Sequence, residues 1–416
     1  MENLLLTKNI GKIETKSKNV IFRDLIDLPS TTYATFGIYR YPAKFIPHVI
    51  YYILQNYSKP KMKVFDPFGG CGTVGIASSI YGCDYELWDL NPMLKLLHSV
   101  ALMKPIVINQ EEIIKKIKSC KEKFIPKWSK HQNWFPKEYL PFLHKVWGYY
   151  HSLPESNEKL FLAIPLVKTT RYFSYDDTQR QKLSKSTRSQ EKIANILKSD
   201  WEIIFFKMLM NEFNKLDKSI KEYWSLNPKD TKHTIRCGID TLNESLREKK
   251  DILITSPPYL QSQEYIKQAK LDLFWFGYSE EEIKRLGKLE IPYGNIKPCK
   301  IYSKTYEECR KKLTEKHIIK VFDKYFWGIL GAFTRLQEDI NSYMFLFVGH
   351  SSTRGHKIPL DIILIEHLSK FGWKHETTFV DKIVSRRLFQ YKQNPASKIK
   401  DKRTSVENLV VLKRIK

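Results

Sequence analysis

Two short segments of the sequence combine residue types that could hold a ligand and carry out chemistry on it. In the first, Val64–Thr73, an apolar stretch ends at an aspartate, and a proline, several glycines and a threonine follow. In the second, Asp251–Tyr259, an isoleucine- and leucine-rich stretch runs into a serine, two prolines and a tyrosine. Glycines admit positive φ and let a ligand lie against bare backbone, whereas prolines fix a rigid corner. The sequence therefore predicts a ligand-binding turn and a separate rigid, polar corner.

The glycine turn is compatible with more than one interpretation. Gly70, Gly72 and Gly75 satisfy the GxGxxG spacing, and Asp89 follows at the distance of a ribose-binding acid in dinucleotide enzymes. A P-loop is excluded because no Gly-Lys-Ser/Thr follows. The remaining interpretations are the cofactor turn of an S-adenosylmethionine enzyme and a structural strand-turn-helix that binds nothing.

Both segments need a sheet that presents them at one edge. Short strands are predicted at 63–65 and 85–88 with a helix at 74–81 between them, an order typical of a parallel, doubly wound sheet. Residues 1–30 read as a polar lead-in, and 105–232 as a mostly helical stretch rich in Lys and aromatic residues. Further elements are predicted as follows: a helix at 47–57, strands at 234–237, 251–254, 343–348, 377–383 and 409–412, and helices at 306–336 and 360–371.

The two segments together resemble a known enzyme family. Asp66–Thr73 (Asp-Pro-Phe-x-Gly-x-Gly-Thr) is similar to the cofactor motif of DNA amino-methyltransferases, and Ser256–Tyr259 is similar to their Ser/Asp/Asn-Pro-Pro-Tyr catalytic motif. The resemblance covers about residues 31–100 and 234–416. It implies an α/β, Rossmann-like methyltransferase fold with a mostly parallel, doubly wound sheet and a mainly helical insertion. The expected division is 1–104 for the cofactor-binding part, 105–232 for the insertion and possible target-recognition region, and 233–416 for the catalytic part.

The resemblance implies S-adenosylmethionine as the cofactor and assigns residues to it. Asp66 is expected near the cofactor ammonium and Asp89 on the ribose hydroxyls, where a carboxylate accepts two O–H donors. Asp240 falls where the family places an acid near the adenine, although Ile239 separates it from the glycine that usually precedes it. The expected cofactor-binding set is Pro42, Ala43, Lys44, Phe45, Asp66, Pro67, Phe68, Gly70, Gly72, Thr73, Asp89 and Asp240.

The resemblance of the proline motif to that of amino-methyltransferases implies chemistry on an exocyclic amino group, and the roles below follow from this resemblance. Such a nitrogen is a poor nucleophile because its lone pair is delocalised into the ring. Ser256 Oγ and the Pro257 carbonyl are the expected acceptors for the amino hydrogens, and Tyr259 is expected to stack on a base extruded from the helix. The expected catalytic set is Ser256, Pro257, Pro258 and Tyr259. A serine at position 256 favours N4 of cytosine, and N6 of adenine is the alternative. Many relatives with Ser-Pro-Pro-Tyr carry that motif before the glycine motif, so the order here departs from theirs.

The composition is strongly basic, with 70 Lys plus Arg against 45 Asp plus Glu and a net charge of +25. The electrostatic field of such a net positive charge attracts polyanions. A generally lysine-rich surface is an alternative explanation for the charge. The residues expected to contact double-stranded DNA are Arg171, Arg180, Lys182, Lys185, Arg188, Arg386 and Arg387.

Other features of the sequence bear on metal binding, cellular location and partners. The six cysteines form no CxxC pair, so no metal site is expected. No leader peptide or membrane-length apolar run is evident, and a cytoplasmic protein, monomeric or dimeric, is expected. A restriction endonuclease acting on the same site is a possible partner. The alternative functions are an RNA amino-methyltransferase and a catalytically idle nucleic-acid binder.

Overall fold

The computed structural model describes residues 5–6, 16–42, 44–178, 180, 183–260, 264–382 and 406–415 of the chain. Four residues that the sequence predicts to bind cofactor or DNA lie outside this part: Ala43, Lys182, Arg386 and Arg387.

One large sheet dominates the described residues. In chain order, its strands are β1 (Leu5–Leu6), β2 (Lys16–Val20), β3 (Lys63–Asp66), β4 (Asp84–Asp89), β5 (His233–Cys237), β6 (Lys250–Thr255), β7 (Ile340–Gly349), β10 (Trp373–Lys382) and β11 (Val406–Arg414). Between β7 and β10, the strands β8 (Ser351–Thr353) and β9 (His356–Ile358) form a small separate hairpin. The spatial order is β1-β2-β10-β11-β7-β6-β3-β4-β5. Strands β7, β6, β3, β4 and β5 run parallel, β2 is parallel to β10, and β11 is antiparallel to both neighbours.

The sheet is covered by apolar clusters on both faces. Because successive side chains of a strand point to opposite faces, Ile252 and Ile254 of β6 enter one cluster and Leu253 enters the other. A strand buried on both faces reads as a continuous apolar run, which is the pattern that the sequence shows at 251–254.

The described helices fall into two groups. Those that share the first cluster are α1 (Phe22–Leu25), α2 (Pro47–Tyr57), α3 (Thr73–Tyr81), α4 (Met93–Leu102), α5 (Gln110–Ser119), α6 (Leu140–Ser152), α7 (Asn157–Tyr172), α8 (Thr187–Leu197), α9 (Trp201–Ser225), α10 (Tyr265–Trp275) and α11 (Glu280–Gly287). Those that share the second are α12 (Lys304–Lys311), α13 (Lys316–Leu336) and α14 (Leu360–Ser369). The α/β, doubly wound, mostly parallel sheet predicted from the sequence is confirmed, with helices on both faces.

The predicted insertion is built from helices α5–α9, and its apolar side chains belong to the same cluster as those of α2–α4. The Trp224 indole N–H also donates to the Met103 carbonyl, at 2.8 Å. The insertion is therefore packed onto the sheet domain through a shared core. Its boundaries as a separate unit stay a prediction.

One expectation for secondary structure was wrong. The lead-in contains the strands β1 and β2, because β1 pairs with β2, β2 pairs with β10, and Phe22 is buried beside β10. The helical stretch expected at 306–336 consists of two helices, α12 and α13. The hydroxyl of Tyr306 donates to Asp323 at 2.6 Å, whereas these residues would lie about 25 Å apart along one straight helix.

The connections of the sheet define where a ligand can bind. From β3 the chain proceeds through β4 to β5 in one direction, and from β6 to β7 in the other. In open α/β sheets the ligand crevice lies at such a reversal, at the carboxyl ends of the strands. Both chemical motifs of the sequence begin at those ends, after β3 and after β6.

Candidate functional site

The glycine turn between β3 and α3 has the conformation that its residues allow. Gly70 and Gly72 have φ of 56° and 83°, in the left-handed region that favours glycine. A Cβ at Gly72 would lie 2.8 Å from His98 Nδ1, and one at Gly70 would lie 3.1 Å from the Tyr41 ring. The turn therefore requires glycine at these positions for both conformation and space.

Asp89, at the end of β4, holds the turn from the neighbouring strand. Its carboxylate accepts hydrogen bonds from the backbone N–H groups of Gly70 and Asn91, each at 2.7 Å. Burial raises the pKa of Asp89 to about 6, and these two hydrogen bonds oppose the shift. The carboxylate is thus fixed at the cavity wall, with acceptor capacity left for hydroxyl groups.

Asp66, the last residue of β3, joins the two motifs. Its Oδ1 accepts a hydrogen bond from Thr255 Oγ1 at 2.6 Å, across 189 residues of sequence, and another from the Phe68 N–H at 3.0 Å. Burial raises the pKa of Asp66 to about 7, because these hydrogen bonds compensate the lost hydration only in part. The side chain is a buried carboxyl without a positive partner among its contacts.

The proline motif is held by hydrogen bonds to neighbouring elements. The Pro258 carbonyl accepts a hydrogen bond from the Tyr325 hydroxyl of α13 at 2.8 Å. The Tyr259 hydroxyl donates to Glu407 of β11 at 2.5 Å, and burial raises the pKa of Tyr259, with Glu407 adding to it. The motif is therefore tied to α13 and β11, and within the motif the Ser256 side chain hydrogen-bonds Tyr259.

One cavity of about 930 Å³, including its open mouth, collects most of the predicted site. Its wall includes residues that follow four neighbouring parallel strands, β3, β4, β5 and β6, together with the segment before α2. The predicted residues on the wall are Pro42, Lys44, Phe45, Asp66, Phe68, Gly70, Thr73, Asp89, Asp240, Ser256 and Pro258. Pro67, Gly72, Pro257 and Tyr259 are adjacent in sequence to wall residues but do not line the cavity. The Asp240 segment is fixed by Thr241, whose hydroxyl donates to the Pro67 carbonyl at 2.9 Å.

Lys44 places a positive charge on the same wall. Its Nζ is buried and has no hydrogen-bond partner among the described residues. Burial lowers the pKa of Lys44 from its ordinary value. A buried ammonium without a partner is costly, so this position fits an anionic group of a ligand.

Sequence reasoning missed four wall or supporting residues. Thr255 and Tyr41 belong to segments that were singled out, and their roles depend on long-range contacts that no spacing shows. Tyr265, at the start of α10, stacks on Tyr41 with ring centroids 6.0 Å apart. Glu290 lies in the loop after α11. No pattern in residues 260–300 indicates that either residue would reach the cavity.

A second, larger cleft opens beside the first, between the insertion and α10, and shares Tyr41, Pro42, Asn91 and Tyr265 with it. Arg171 and Arg180 line it. Arg171 differs from Arg180 and Arg188, because its side chain is only 23% exposed and bonds two buried carboxylates, Asp176 at 3.0 Å and Asp272 at 2.8 Å. It therefore anchors α7 to α10, and its contact with DNA stays a prediction.

The other described residues that were predicted to contact DNA, Arg180, Lys185 and Arg188, lie at the surface near this cleft. The side chains of Arg180 and Arg188 are 56% and 50% exposed, and both pair with Asp177. Lys185 Nζ lies over the rings of Trp134 and Tyr175, at 5.5 and 5.3 Å from their centroids. The structure thus brings Arg171, Arg180, Lys185 and Arg188 into one region.

Clustered metal ligands and membrane-length helices are both absent from the described residues. No group of three or more His, Cys, Asp or Glu side chains there could hold a metal ion. In the same residues, no helix has the length and apolar character needed to cross a bilayer.

The chain is similar in sequence to proteins that are named Type II methyltransferases. The chain is 23% identical over 408 residues to the Type II methyltransferase M.MvaI of Kocuria varians, across 89% of each protein. It is 24% identical over 391 residues to the Type II methyltransferases M.AvaI of Nostoc sp. and of Anabaena variabilis, across 82% of this chain and 80% of those proteins. No family model matches the chain.

The chain has a Rossmann-like methyltransferase fold. The similarity to the relatives extends across both halves of the sheet domain and the helical insertion, because the alignment covers most of each chain.

Proposed function

We propose that this protein is an S-adenosylmethionine-dependent, site-specific DNA methyltransferase that modifies an exocyclic amino group. The observation that carries the proposal is the bond between Thr255 and Asp66. It joins the glycine turn to the proline corner, so that a cofactor on one would lie beside a base on the other. The relatives are named Type II methyltransferases, which supports the same activity and a place in a restriction-modification system.

The charged groups of the cavity fit the proposed cofactor. Asp66, a buried carboxyl, would pair with the amino-acid ammonium, and the buried, unpartnered Lys44 ammonium would pair with the carboxylate. Asp89 would accept the ribose hydroxyls, and Asp240 would lie near the adenine. The bound cofactor supplies a sulfonium methyl group that an amino nitrogen can attack in line.

The proline corner supports activation of that nitrogen. Ser256 lines the cavity, and Tyr325 occupies the carbonyl of Pro258 but not that of Pro257. Two acceptors would then be available for the two amino hydrogens, which favours a tetrahedral nitrogen with a localised lone pair. We propose cytosine N4 as the methylated atom, with adenine N6 as the alternative. Tyr259, fixed through Glu407, would stack on the extruded base.

The basic region beside the second cleft supports double-stranded DNA as the substrate. Arg180 lines the second cleft, and Lys185 and Arg188 lie close to Arg180 on the insertion. Positive side chains at such a position would contact phosphates and set the register of the duplex. A restriction endonuclease of the same specificity is the proposed functional partner.

Transfer of a labelled methyl group tests this function. The purified protein is incubated with S-[methyl-³H]adenosylmethionine and, in parallel, with unmethylated amplified genomic DNA and with total RNA. Label in DNA alone is expected, and Ser256→Ala should abolish it while retaining cofactor binding by calorimetry. Label in RNA alone would favour an RNA amino-methyltransferase. DNA binding without transfer to either substrate would favour a catalytically idle binder.

A further inference from the structure

The cavity contains a carboxyl group that the proposed cofactor and catalytic motifs leave unassigned. Glu290 is 8% exposed and lies on the same wall as Ser256 and Pro258. Its Oε1 accepts a hydrogen bond from the N–H of Ile266, in the first turn of α10, at 2.9 Å. The side chain is therefore held in place by backbone, and a carboxyl group retains further hydrogen-bonding capacity.

The surroundings of Glu290 place it on the proline-corner side of the cavity. The next residue, Ile291, packs against Gly328 of α13, about one turn from Tyr325, which binds the Pro258 carbonyl. On the other side, Tyr265 hydrogen-bonds the backbone of Tyr259 through its hydroxyl. The elements that fix Glu290 are thus the elements that fix the catalytic motif.

The electrostatic environment favours the protonated form of Glu290. Burial raises its pKa to about 7, the carboxylates of Glu264 and Asp89 add to the shift, and hydrogen bonds from the Ile266 and Tyr265 backbone oppose it. Lys324 of α13, which reaches the same loop, donates to the Gly294 carbonyl at 2.8 Å. A carboxyl group in this setting can donate an O–H hydrogen bond at neutral pH.

We propose that Glu290 reads the target base, its carboxyl group donating a hydrogen bond to the ring nitrogen beside the methylated amino group. This inference rests on the proposed function. With both amino hydrogens accepted at the proline corner, the adjacent ring atom needs its own partner. That atom is N3 in cytosine and N1 in adenine, and both are acceptors. In guanine one of the two ring nitrogens beside the amino group, N1, carries a hydrogen, so a protonated Glu290 facing that atom would oppose guanine.

Glu290→Gln separates this role from simple capping of α10. Glutamine keeps an oxygen that can accept from Ile266 and gains an N–H₂ donor, but it does not titrate near neutral pH. The experiment measures single-turnover methyl transfer to unmethylated amplified genomic DNA from pH 6.5 to 8.5. The labelled cofactor is kept saturating, so that ionisation of Asp66 does not limit its binding.

The wild-type rate should follow the protonated fraction and fall by up to tenfold per pH unit above the pKa of Glu290. The Glu290→Gln rate should be nearly independent of pH, with cofactor affinity unchanged. Glu264→Gln is the matched control at the same helix end. It should keep the pH dependence but move its midpoint to lower pH, because Glu264 contributes to the raised pKa.

Two results would overturn the inference while leaving the proposed function intact. One is a Glu290→Gln variant with the wild-type pH profile. The other is a loss of cofactor affinity in that variant as large as its loss of rate, which would assign Glu290 to the cofactor. Absence of transfer by the wild-type protein at every pH would instead refute the proposed function, and the role of Glu290 with it.

Discussion

Substitution of Asp66 by asparagine should strengthen the fold and weaken cofactor binding at the same time. Asparagine keeps the acceptor for Thr255 and Phe68 but removes the buried charge. Burial raises the pKa of Asp66 from 3.8 to about 7. Since one pH unit corresponds to about 1.4 kcal/mol, keeping this group ionised above pH 7 destabilises the free protein by on the order of 4 kcal/mol.

The sign and pH window of this effect follow from linkage. Folding raises the pKa of Asp66, so the protonated side chain contributes to the stability of the folded protein. This contribution is fully present below pH 3.8 and is lost as the pH rises to about 7. Asp66→Asn should therefore exceed the wild type in unfolding free energy by roughly 4 kcal/mol at pH 8 and by about 2 kcal/mol at pH 5. Both proteins should converge near pH 4.

Chemical denaturation followed by tryptophan fluorescence, at these pH values and without cofactor, measures the difference. Calorimetry at pH 8 should show S-adenosylmethionine binding to the wild type and at least tenfold weaker binding to Asp66→Asn. Asp323→Asn is a suitable control because Asp323 is buried against Arg310, at 2.8 Å, and its loss should destabilise the fold. Equal stability of Asp66→Asn and wild type at pH 8, or unchanged cofactor affinity, would refute the reasoning.

Three further outcomes are expected. Lys44→Met removes the unpartnered ammonium, so it should raise thermal stability without cofactor and weaken cofactor binding by about 10- to 100-fold in calorimetry. Tighter cofactor binding would contradict the assignment of Lys44 to the cofactor carboxylate. Tyr259→Phe should lower the unfolding free energy by about 1–3 kcal/mol, since it leaves the Glu407 carboxylate buried without its donor, whereas Glu407→Gln keeps an acceptor and should cost less. Combined charge reversal of Arg180 and Lys185 should reduce the slope of log DNA affinity against log salt by about 0.9 for each phosphate that is no longer bound, and an unchanged slope would remove this region from the interface.

The sequence was sufficient to predict the sheet and the two motifs because both depend on local chemistry. An apolar run that ends at Asp66 and a glycine turn can be recognised without knowing what packs nearby. The bond from Thr255 to Asp66 could not be predicted, because it depends on the parallel pairing of β3 with β6. Glu290 was missed for the same reason, since only the packing of α10 and α13 brings its loop to the cavity.

The pairing of Arg171 shows a further limit of sequence reasoning. Its position among basic residues suggested phosphate binding, yet Asp176 and Asp272 hold it at the junction of α7 and α10. Asp272 lies 101 residues away, and its burial becomes evident only in the folded chain. A cluster of like charges in a sequence indicates the sign of the local electrostatic field. Which opposite charge each side chain pairs with depends on the tertiary structure.

The most direct test of the central claim is the identity of the methylated nucleoside. Amplified DNA is treated with the purified protein and S-adenosylmethionine, digested to nucleosides and analysed by mass spectrometry, with Ser256→Ala as the control. The account predicts N4-methylcytosine from the wild type and none from the variant. N6-methyladenine as the sole product would show that the target base is adenine, and the proposed mechanism would still hold. A product methylated on ring carbon, or no methylated nucleoside in DNA, would contradict amino-group methylation at the proline corner.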